Sequence, residues 1–290
     1  MENIKQIQWF PGHMAKTKRL IRESLSLVDI VIEILDARIP YASHNPDIER
    51  IAESKPKLIL LNKASLADPE VNARWREHFK KKGIETLFTD CNTGEGLSDI
   101  MPKISSILAE KLARYSERGM LGRSLKALVV GIPNSGKSTF INRMAGSSKA
   151  KAENRPGVTT DKQWVTTKHG IDLLDTPGVL WPKFEDKLVG ENLAITGAIK
   201  DMILDQEEIA CLLISRLRRI APEALSSRYK LTEDELDSDL LDYDILEAIG
   251  RHRGFLAARG EINTERAAIT LIEEFRSAKI GRISLETPKT

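Results

Sequence analysis

Short apolar runs, separated by amphipathic segments and turn residues, recur along the chain up to about residue 180. Apolar runs of this kind predict buried strands, at 27–35, 57–61, 84–88, 125–130, 162–167 and 171–174. Apolar residues three or four positions apart predict intervening helices, at about 69–82, 97–114 and 137–145. Strands that alternate with helices are typical of an α/β fold, here a mostly parallel sheet flanked by helices.

The helix predicted at 69–82 illustrates the local signals. Asp68 precedes a proline, and an acidic N-cap followed by proline is a typical helix start. Val71, Trp75 and Phe79 recur every four residues and would share one helical face. We expect that face to belong to the hydrophobic core rather than to a binding surface.

The pattern divides the chain into three parts. Residues 1–22 are basic and aromatic, with Trp9 and Phe10 just before a predicted Pro-Gly turn. Such a segment suits RNA binding, or equally a solvated amphipathic helix. The α/β domain is predicted at 23–184. Beyond it the pattern is helical throughout, which predicts a small all-helical domain at 185–290.

Composition excludes several classes of protein. Among 290 residues the net charge is only +2, so any nucleic-acid surface must be a local patch. The two cysteines, Cys91 and Cys211, are far apart and indicate neither a disulfide framework nor a metal cluster. Because no signal peptide and no long apolar stretch is evident, we expect a cytoplasmic location and no membrane partner.

The stretch that organises the chain runs from Gly131 to Thr139 and fits the phosphate-loop pattern G-x-x-x-x-G-K-[ST]. Backbone N–H groups and a helix N-terminus would cradle a polyphosphate, and Lys137 would reach the β- and γ-phosphates. The alternative is a glycine-rich turn without a ligand. The nucleotide-binding candidates in this stretch are Asn134, Ser135, Gly136, Lys137, Ser138 and Thr139.

Two later segments complete a predicted Mg²⁺ and γ-phosphate site. The loop at 146–160 resembles a nucleotide switch, in which Thr159, with Thr160 as second choice, would contact Mg²⁺. Asp175 ends an apolar strand and would hold Mg²⁺ through water, together with Ser138. The N–H group of Gly178 would sense the γ-phosphate.

A base-binding site is predicted at Asn62-Lys63-Ala64-Ser65, which follows a strand. Guanine-nucleotide proteins carry Asn-Lys-x-Asp there, and a serine hydroxyl accepts hydrogen bonds more weakly than a carboxylate. The loop at 89–96, with Cys91 and Asn92, is a candidate for backbone contacts to the base. An ordinary strand–helix loop explains the same residues.

The catalytic group is not evident from these motifs. Val179 occupies the position after Gly178, where many such hydrolases have a glutamine that orients the attacking water. Valine cannot hydrogen-bond a water molecule. Catalytic contributions are therefore predicted from Lys137, from Gly178 and from His13 in the N-terminal segment.

Taken together, these motifs stand in an unusual order, with Asn-Lys-x-x before the phosphate loop. With Gln8–Lys16 and Asp36–Pro40, the chain resembles, over its full length, the circularly permuted GTPases that assemble the large ribosomal subunit. The resemblance implies a circularly permuted P-loop GTPase domain followed by the helical domain.

The same resemblance implies a set of ligands and partners. These are GTP and GDP, Mg²⁺, the large ribosomal subunit and its rRNA, with the subunit stimulating hydrolysis. His13 matches the proposed catalytic histidine, and Val179 matches a hydrophobic replacement for glutamine. Asn134 matches an asparagine that holds K⁺. Ser65 is the departure, since the family has aspartate there; we expect GTP binding weakened by about 1–3 kcal/mol.

Basic clusters in the helical part fit an RNA surface or, taken singly, solvated helix faces. They are Arg216, Arg218 and Arg219; Arg251, His252 and Arg253; and Lys279 and Arg282. We expect a monomeric GTPase whose nucleotide state controls RNA affinity. The alternatives are a nucleotide-gated RNA-binding scaffold with negligible hydrolysis, and an ATPase permitted by the missing aspartate.

Overall fold

The computed structural model describes residues 11–120, 123–146, 163–181, 184, 186–201, 204–257 and 260–288, with side chains described from residue 15. The chain divides into two compact units. The described part of the first unit comprises 11–184 and 286–288, and that of the second comprises 186–285. The three-part division made from the sequence stays a prediction.

The first unit is built on one six-stranded sheet, whose strands lie in the order β3-β2-β1-β4-β6-β5. All neighbouring pairs are parallel except β5 and β6, which are antiparallel. The α/β fold class predicted from the sequence is confirmed. The strands are β1 (Ile30–Asp36), β2 (Lys57–Asn62), β3 (Thr86–Phe88), β4 (Leu125–Gly131), β5 (Gln163–Thr166) and β6 (Ile171–Asp175).

Helices connect and cover these strands. They are α1 (Pro11–Leu25), α2 (Pro40–Ser43), α3 (Pro46–Ile51), α4 (Pro69–Lys81), α5 (Ile100–Ile107), α6 (Ala109–Glu117) and α7 (Lys137–Ala145). Short 3₁₀ turns lie at Ala64–Leu66 and Leu97–Asp99.

The N-cap predicted for α4 is confirmed, since the Asp68 carboxylate accepts N–H bonds from Glu70 and Val71 at 2.7 and 3.2 Å. The apolar face predicted for this helix is also confirmed, because Trp75 and Phe79 are buried in a cluster with β2.

Several predicted boundaries were wrong. The single helix predicted at 97–114 is a 3₁₀ turn followed by α5 and α6, with a break at Leu108. The apolar stripe continues across the break, since Ile104 and Leu108 are buried and Leu112 of α6 packs against the same cluster, so the pattern of apolar residues gives no sign of it. The predicted Pro-Gly turn is instead the start of α1, because proline suits a first helical position.

Both faces of the sheet are buried at its central strands β1, β2 and β4, as the apolar character of these strands requires. Ile30, Ile32 and Ile34 of β1 pack in one cluster, whereas Val31 packs in a second cluster on the opposite face. The polar residues on this strand are Glu33, with a fully buried side chain, and Asp36 at its carboxyl end.

The second unit is helical in its described part, with α8 (Lys187–Ile195), α9 (Gln206–Ile220), α10 (Pro222–Tyr229), α11 (Asp242–His252) and α12 (Thr264–Arg276). The long helix α9 packs against each of the other four. Its buried stripe includes Ile209, Leu213 and Leu217. Across the residues described in both units, no helix has the length and apolar character needed to span a membrane.

Candidate nucleotide-binding site

Polar residues and a glycine stand at the carboxyl ends of four adjacent parallel strands. They are Asp36 of β1, Asn62 of β2, Gly131 of β4 and Asp175 of β6. In the strand register Asp36 lies beside Asn62, and Asp175 lies beside Val129, two residues before Gly131. Ligands of open α/β sheets bind at this edge. The sheet therefore gathers the phosphate, metal and base candidates at one edge.

The phosphate loop connects β4 to α7 and requires glycine. Gly136 has a φ of 99°, and a Cβ atom there would lie 2.1 Å from Nδ2 of Asn62. Any side chain at this position would therefore displace Asn62. Asn134, with a left-handed φ of 57°, is exposed at the tip of the loop, whereas Ser135 is buried and its hydroxyl donates to the Ile132 carbonyl at 3.0 Å.

Lys137 is buried at the start of α7. Its ammonium group donates to the carbonyl oxygens of Ile132 and Gly131 at 2.8 and 3.2 Å. Burial lowers the pKa of Lys137 to about 8, an effect that the nearby Asp175 carboxylate partly opposes. The ammonium group therefore binds carbonyl oxygens of the phosphate loop itself. The oxygens of a polyphosphate are anionic and would be stronger acceptors.

The segment after β6 lies against the phosphate loop. A Cβ atom on Gly178 would lie 2.9 Å from Cα of Pro133 and 3.0 Å from Nζ of Lys137. Only glycine can approach the loop this closely. The next residue, Val179, donates its N–H to the Gly131 carbonyl at 3.2 Å, which fixes the segment at the loop's first residue.

The position of Val179, where many such hydrolases have glutamine, belongs to the hydrophobic core. Its side chain is 4% exposed and packs among apolar residues that include Val31 and Leu174. Its carbonyl oxygen accepts a hydrogen bond from Nδ2 of Asn45 at 3.0 Å. A side chain held in this cluster has a packing role and is directed into the core.

The residues present fit an Mg²⁺ ion. Ser138 and Thr139 are half-buried in the first turn of α7, and the buried Asp175 carboxylate acts electrostatically on the neighbouring Lys137. In the described part of the chain, no group of three or more His, Cys, Asp or Glu side chains forms a metal cage. Mg²⁺ prefers oxygen ligands, and it usually combines one or two protein groups with phosphate oxygens and water. The Ser138 hydroxyl and the Asp175 carboxylate are protein groups of this kind.

Asn62 joins the phosphate loop to the loop that follows β3. Its Nδ2 donates to the Ser135 carbonyl at 2.8 Å, and its Oδ1 accepts the Cys91 N–H at 3.0 Å. The side chain is buried. One amide therefore fixes the distance between the predicted phosphate and base sites.

Lys63 is held by a charge pair that the sequence analysis did not single out. Its ammonium lies 2.9 Å from Oδ2 of Asp36, whose carboxylate also accepts from the buried Arg38 at 2.7 Å. Burial alone would raise the pKa of Asp36, but Arg38 and Lys63 together hold it well below its usual range. The sequence offered Asp36 as the first residue of the segment Asp36–Pro40, but nothing in the local pattern linked it to Lys63. The anchored ammonium keeps the Lys63 stem in place for a base.

The loop after β3 differs from expectation. Backbone N–H groups of Cys91 and Asn92 were predicted to meet a base carbonyl, but Asn62 Oδ1 and Asp90 Oδ1 accept them at 3.0 and 2.8 Å. In this conformation both groups are engaged within the protein, so contacts to the base from these two groups stay a prediction. Burial also raises the pKa of the Cys91 thiol to about 12, so that the thiol is neutral.

Ser65 lies next to Asp90, a contact that the sequence analysis missed. The Ser65 hydroxyl donates to Oδ2 of Asp90. The Asp90 carboxylate is buried, whereas Ser65 is half-buried. Twenty-five positions separate the two residues, so no local pattern could have indicated the pair.

Three predicted residues lie wholly or in part outside the described ones. Thr159 and Thr160 lie outside the described residues. The backbone of His13 belongs to α1, but its side chain lies outside the described ones. Their roles as switch threonine and catalytic histidine stay predictions.

The basic clusters of the helical unit are largely paired. Arg216 contacts Glu191 at 2.6 Å, Arg218 contacts Asp242 at 3.2 Å, and Arg253 contacts Glu274 at 3.2 Å. His252 and Arg251 share Glu235. The ion pairs favour a structural role for these members. Within these clusters the exposed arginine and lysine residues are Arg219, Arg251, Lys279 and Arg282.

Comparison with known proteins identifies GTPases, in agreement with the nucleotide-binding geometry of the site. A family model described as a 50S ribosome-binding GTPase matches residues 126–242. Ribosome biogenesis GTPase A of Bacillus licheniformis is 47% identical over 283 residues, which cover 98% of this chain and 99% of the relative. The protein of the same name from Thermotoga maritima is 31% identical and covers 98% and 95%.

Solved structures match as well. A GDP-bound YlqF structure aligns with a TM-score of 0.66 and 28% identity, covering 94% of this chain and 100% of that one. A GNP-bound YlqF from T. maritima aligns with a TM-score of 0.65. The resemblance noted from the motifs is confirmed over nearly the whole chain.

Proposed function

Because this chain belongs to the ribosome biogenesis GTPase A family, whose members bind and hydrolyse GTP, we propose that it acts in late maturation of the large ribosomal subunit. In this proposal it binds rRNA under the control of its nucleotide state. Support comes from the names of its relatives and from the family described as binding the 50S subunit.

The observation that carries the proposal is the burial of Val179 beside the phosphate loop. Its side chain packs in the core, and its backbone is tied to Gly131 and Asn45. The position that usually orients the attacking water therefore offers no polar group. Hydrolysis by the isolated protein should be slow, and a large partner that completes or rearranges the site should accelerate it.

The proposed roles of the site residues follow from the sequence motifs and, for the described residues, also from their positions at the sheet edge. Lys137 and the loop N–H groups bind the β- and γ-phosphates, and Ser138 with Asp175 holds Mg²⁺, which would stabilise charge on the phosphates. Thr159 and Gly178 sense the γ-phosphate. His13 is the proposed catalytic group.

Asn134 is a proposed K⁺ ligand, because it is exposed at the tip of the phosphate loop with a left-handed backbone. A cation there would stabilise developing negative charge, as an arginine finger does. Turnover measured in matched K⁺ and Na⁺ buffers tests this role. Faster turnover in K⁺ that is lost in Asn134→Ala supports it, whereas equal rates in both ions contradict it.

Turnover with purified ribosomal subunits tests the central proposal. We expect GTP hydrolysis to rise at least tenfold with large subunits and to stay at the basal rate with small subunits. Co-sedimentation with large subunits should be stronger with a non-hydrolysable GTP analogue than with GDP. Nucleotide-dependent co-sedimentation without any stimulation would instead support the RNA-binding scaffold.

The exposed basic residues Lys279 and Arg282 are proposed contacts to rRNA. Reversing both charges to glutamate should weaken subunit binding and reduce its salt dependence, because phosphate contacts release counterions. Reversal of Lys80 and Lys81, exposed on α4, is the matched control and should change binding less. Equal effects of the two pairs would contradict a specific contact.

A further inference from the structure

Two neighbouring parallel strands bring Ser65 and Asp90 together. In the β2–β3 register Leu61 lies beside Phe88, and both strands end shortly afterwards at the same edge of the sheet. Ser65 lies in the 3₁₀ turn after β2, and Asp90 lies two residues beyond β3. The loops are joined as well, since Ala64 N–H donates to the Thr89 carbonyl at 3.0 Å.

The contact places a carboxylate beside position 65, where the guanine-binding motif has serine in place of aspartate. The motif Asn62-Lys63-Ala64-Ser65 lacks the aspartate that reads guanine, and the structure places another aspartate in direct contact with the serine that replaced it. We propose that Ser65 and Asp90 together form the guanine-reading unit, with Asp90 carrying the charge and Ser65 presenting the acceptor oxygen to the base.

Hydrogen bonds fix the orientation of the carboxylate. Oδ1 of Asp90 accepts the N–H groups of Asn92 and Thr93 at 2.8 and 3.1 Å. Oδ2 accepts the Ser65 hydroxyl. Because the buried carboxylate can only accept hydrogen bonds, the proton of the hydroxyl must point towards it. The lone pairs of the half-buried Ser65 oxygen then face away from Asp90.

This arrangement selects guanine by its chemistry. The guanine edge presents a ring N–H and an exocyclic amine, which are both donors, whereas adenine presents a ring nitrogen acceptor at the corresponding position. A serine oxygen whose proton is held by a carboxylate is an acceptor with negative charge behind it. It would bind the guanine donors and repel the adenine lone pair.

The neighbouring contacts place the pair at the base site. Lys63, two residues before Ser65, is anchored by Asp36 at 2.9 Å. Asn62 accepts the N–H of Cys91, the residue after Asp90, and donates to the phosphate loop. The pair is therefore held in a fixed relation to the groups that would contact the base and the phosphates.

The decisive variant is Asp90→Asn, assayed by calorimetry with Mg²⁺ and non-hydrolysable analogues of GTP, XTP and ATP. Asparagine keeps an oxygen for the two loop N–H groups, but its amide donates to Ser65 and turns the hydroxyl proton towards the base. Xanthine has a carbonyl where guanine has its amine. We expect GTP affinity to fall at least tenfold and the preference to move to XTP.

The reciprocal exchange is the matched control. Ser65→Asp combined with Asp90→Ser returns the carboxylate to position 65 and keeps the hydroxyl beside it, so it should retain the GTP preference. Ser65→Asp alone places two carboxylates in contact and should weaken binding of every nucleotide. Ser65→Ala leaves the Asp90 cap on the loop intact and should reduce the preference for GTP over XTP about tenfold.

Other outcomes would contradict a role of Ser65 and Asp90 in guanine recognition. If Asp90 only caps its loop, Asp90→Asn will weaken GTP, XTP and ATP by one common factor, and Ser65→Ala will leave the preference unchanged. Either result overturns the inference, as does a wild-type protein that binds the three analogues equally. The inference rests on the GTP site used by the proposed function, but a failure of subunit stimulation would leave these base preferences unchanged.

Discussion

The side-chain amide of Asn45 donates a hydrogen bond to the main-chain carbonyl of Val179 across 3.0 Å, although 134 positions separate the two residues. Asn45 also caps α3, because its Oδ1 accepts the Asp47 N–H at 2.9 Å. On its other side Val179 donates to Gly131. The segment that follows Gly178 is therefore held between the phosphate loop and the turn that joins α2 to α3.

Asn45→Asp should weaken the response to the γ-phosphate. Aspartate keeps the acceptor that caps α3, but it removes the donor and leaves a buried carbonyl without it. We expect the ratio of affinities for a non-hydrolysable GTP analogue and for GDP, measured by calorimetry, to fall by up to about tenfold.

A matched control for that variant exists in the helical unit. Asn263 caps α12 by accepting the Arg266 N–H at 2.9 Å, and Asn263→Asp preserves that cap in the same way. It should leave nucleotide affinities unchanged. If both variants behave like the wild type, Asn45 has no part in positioning the segment.

Val179→Gln should not create a faster enzyme. The side chain is 4% exposed in an apolar cluster, so glutamine would bury an amide without partners or disrupt the packing. Denaturant unfolding should show a loss of about 1–3 kcal/mol, with no gain in basal turnover. Val179→Ala should also destabilise the protein and leave turnover unaltered. Faster turnover at wild-type stability in the glutamine variant would refute this account.

His44 should make the stability of the first unit depend on pH. Its ring nitrogens lie 2.9 Å from the buried Glu33 and 3.0 Å from Glu49, and Lys57 lies 3.7 Å from the other Glu33 oxygen. Burial opposes the charged ring, but hydrogen bonds and charge from Glu33 and Glu49 raise its pKa to about 9 from 6.5. The protonated ring is therefore the form that the fold stabilises.

The stabilisation is fully present below pH 6.5 and is lost as the pH rises through about 9. Unfolding free energies measured across this window should fall by about 1–3 kcal/mol. His44→Gln should flatten the dependence, whereas His169→Gln, at an exposed position, should not. Parallel curves for the wild type and His44→Gln would show that another group titrates.

Lys137 should make nucleotide affinity depend on pH. Burial lowers its pKa to about 8, and a bound polyphosphate would favour the charged form and raise the pKa. Above pH 8 binding then requires uptake of a proton. Affinity for GDP should be constant from pH 7 to 8 and fall towards pH 9, by at most about tenfold per pH unit.

Lys137→Arg provides the control, because arginine stays protonated throughout this range. Its affinity for GDP should be lower overall but independent of pH between 7 and 9. A wild-type affinity that does not change over the same range would indicate that Lys137 is charged before the nucleotide binds.

Local structure at the phosphate loop could be predicted closely. A strand at 125–130 and a helix at 137–145 were expected, and β4 and α7 are Leu125–Gly131 and Lys137–Ala145. These elements follow from glycine spacing, an apolar run and a helix start, all of which act within a few residues. The break at Leu108 was missed because apolar residues continue on both sides of it, at Ile104 and Leu112, and no glycine or proline stands at the break.

The amino-acid sequence alone determined the family, the α/β class and the groups available for phosphate and Mg²⁺. Those features depend on residue types at short, fixed spacings, where backbone geometry permits few alternatives. Tertiary structure decided which distant groups meet. Strand pairing places Asp90 against Ser65 and Asp36 against Lys63, and the course of two loops at the same edge of the sheet places Asn45 against Val179. Each contact depends on the register of the sheet and on the course of its loops, and no local spacing encodes either.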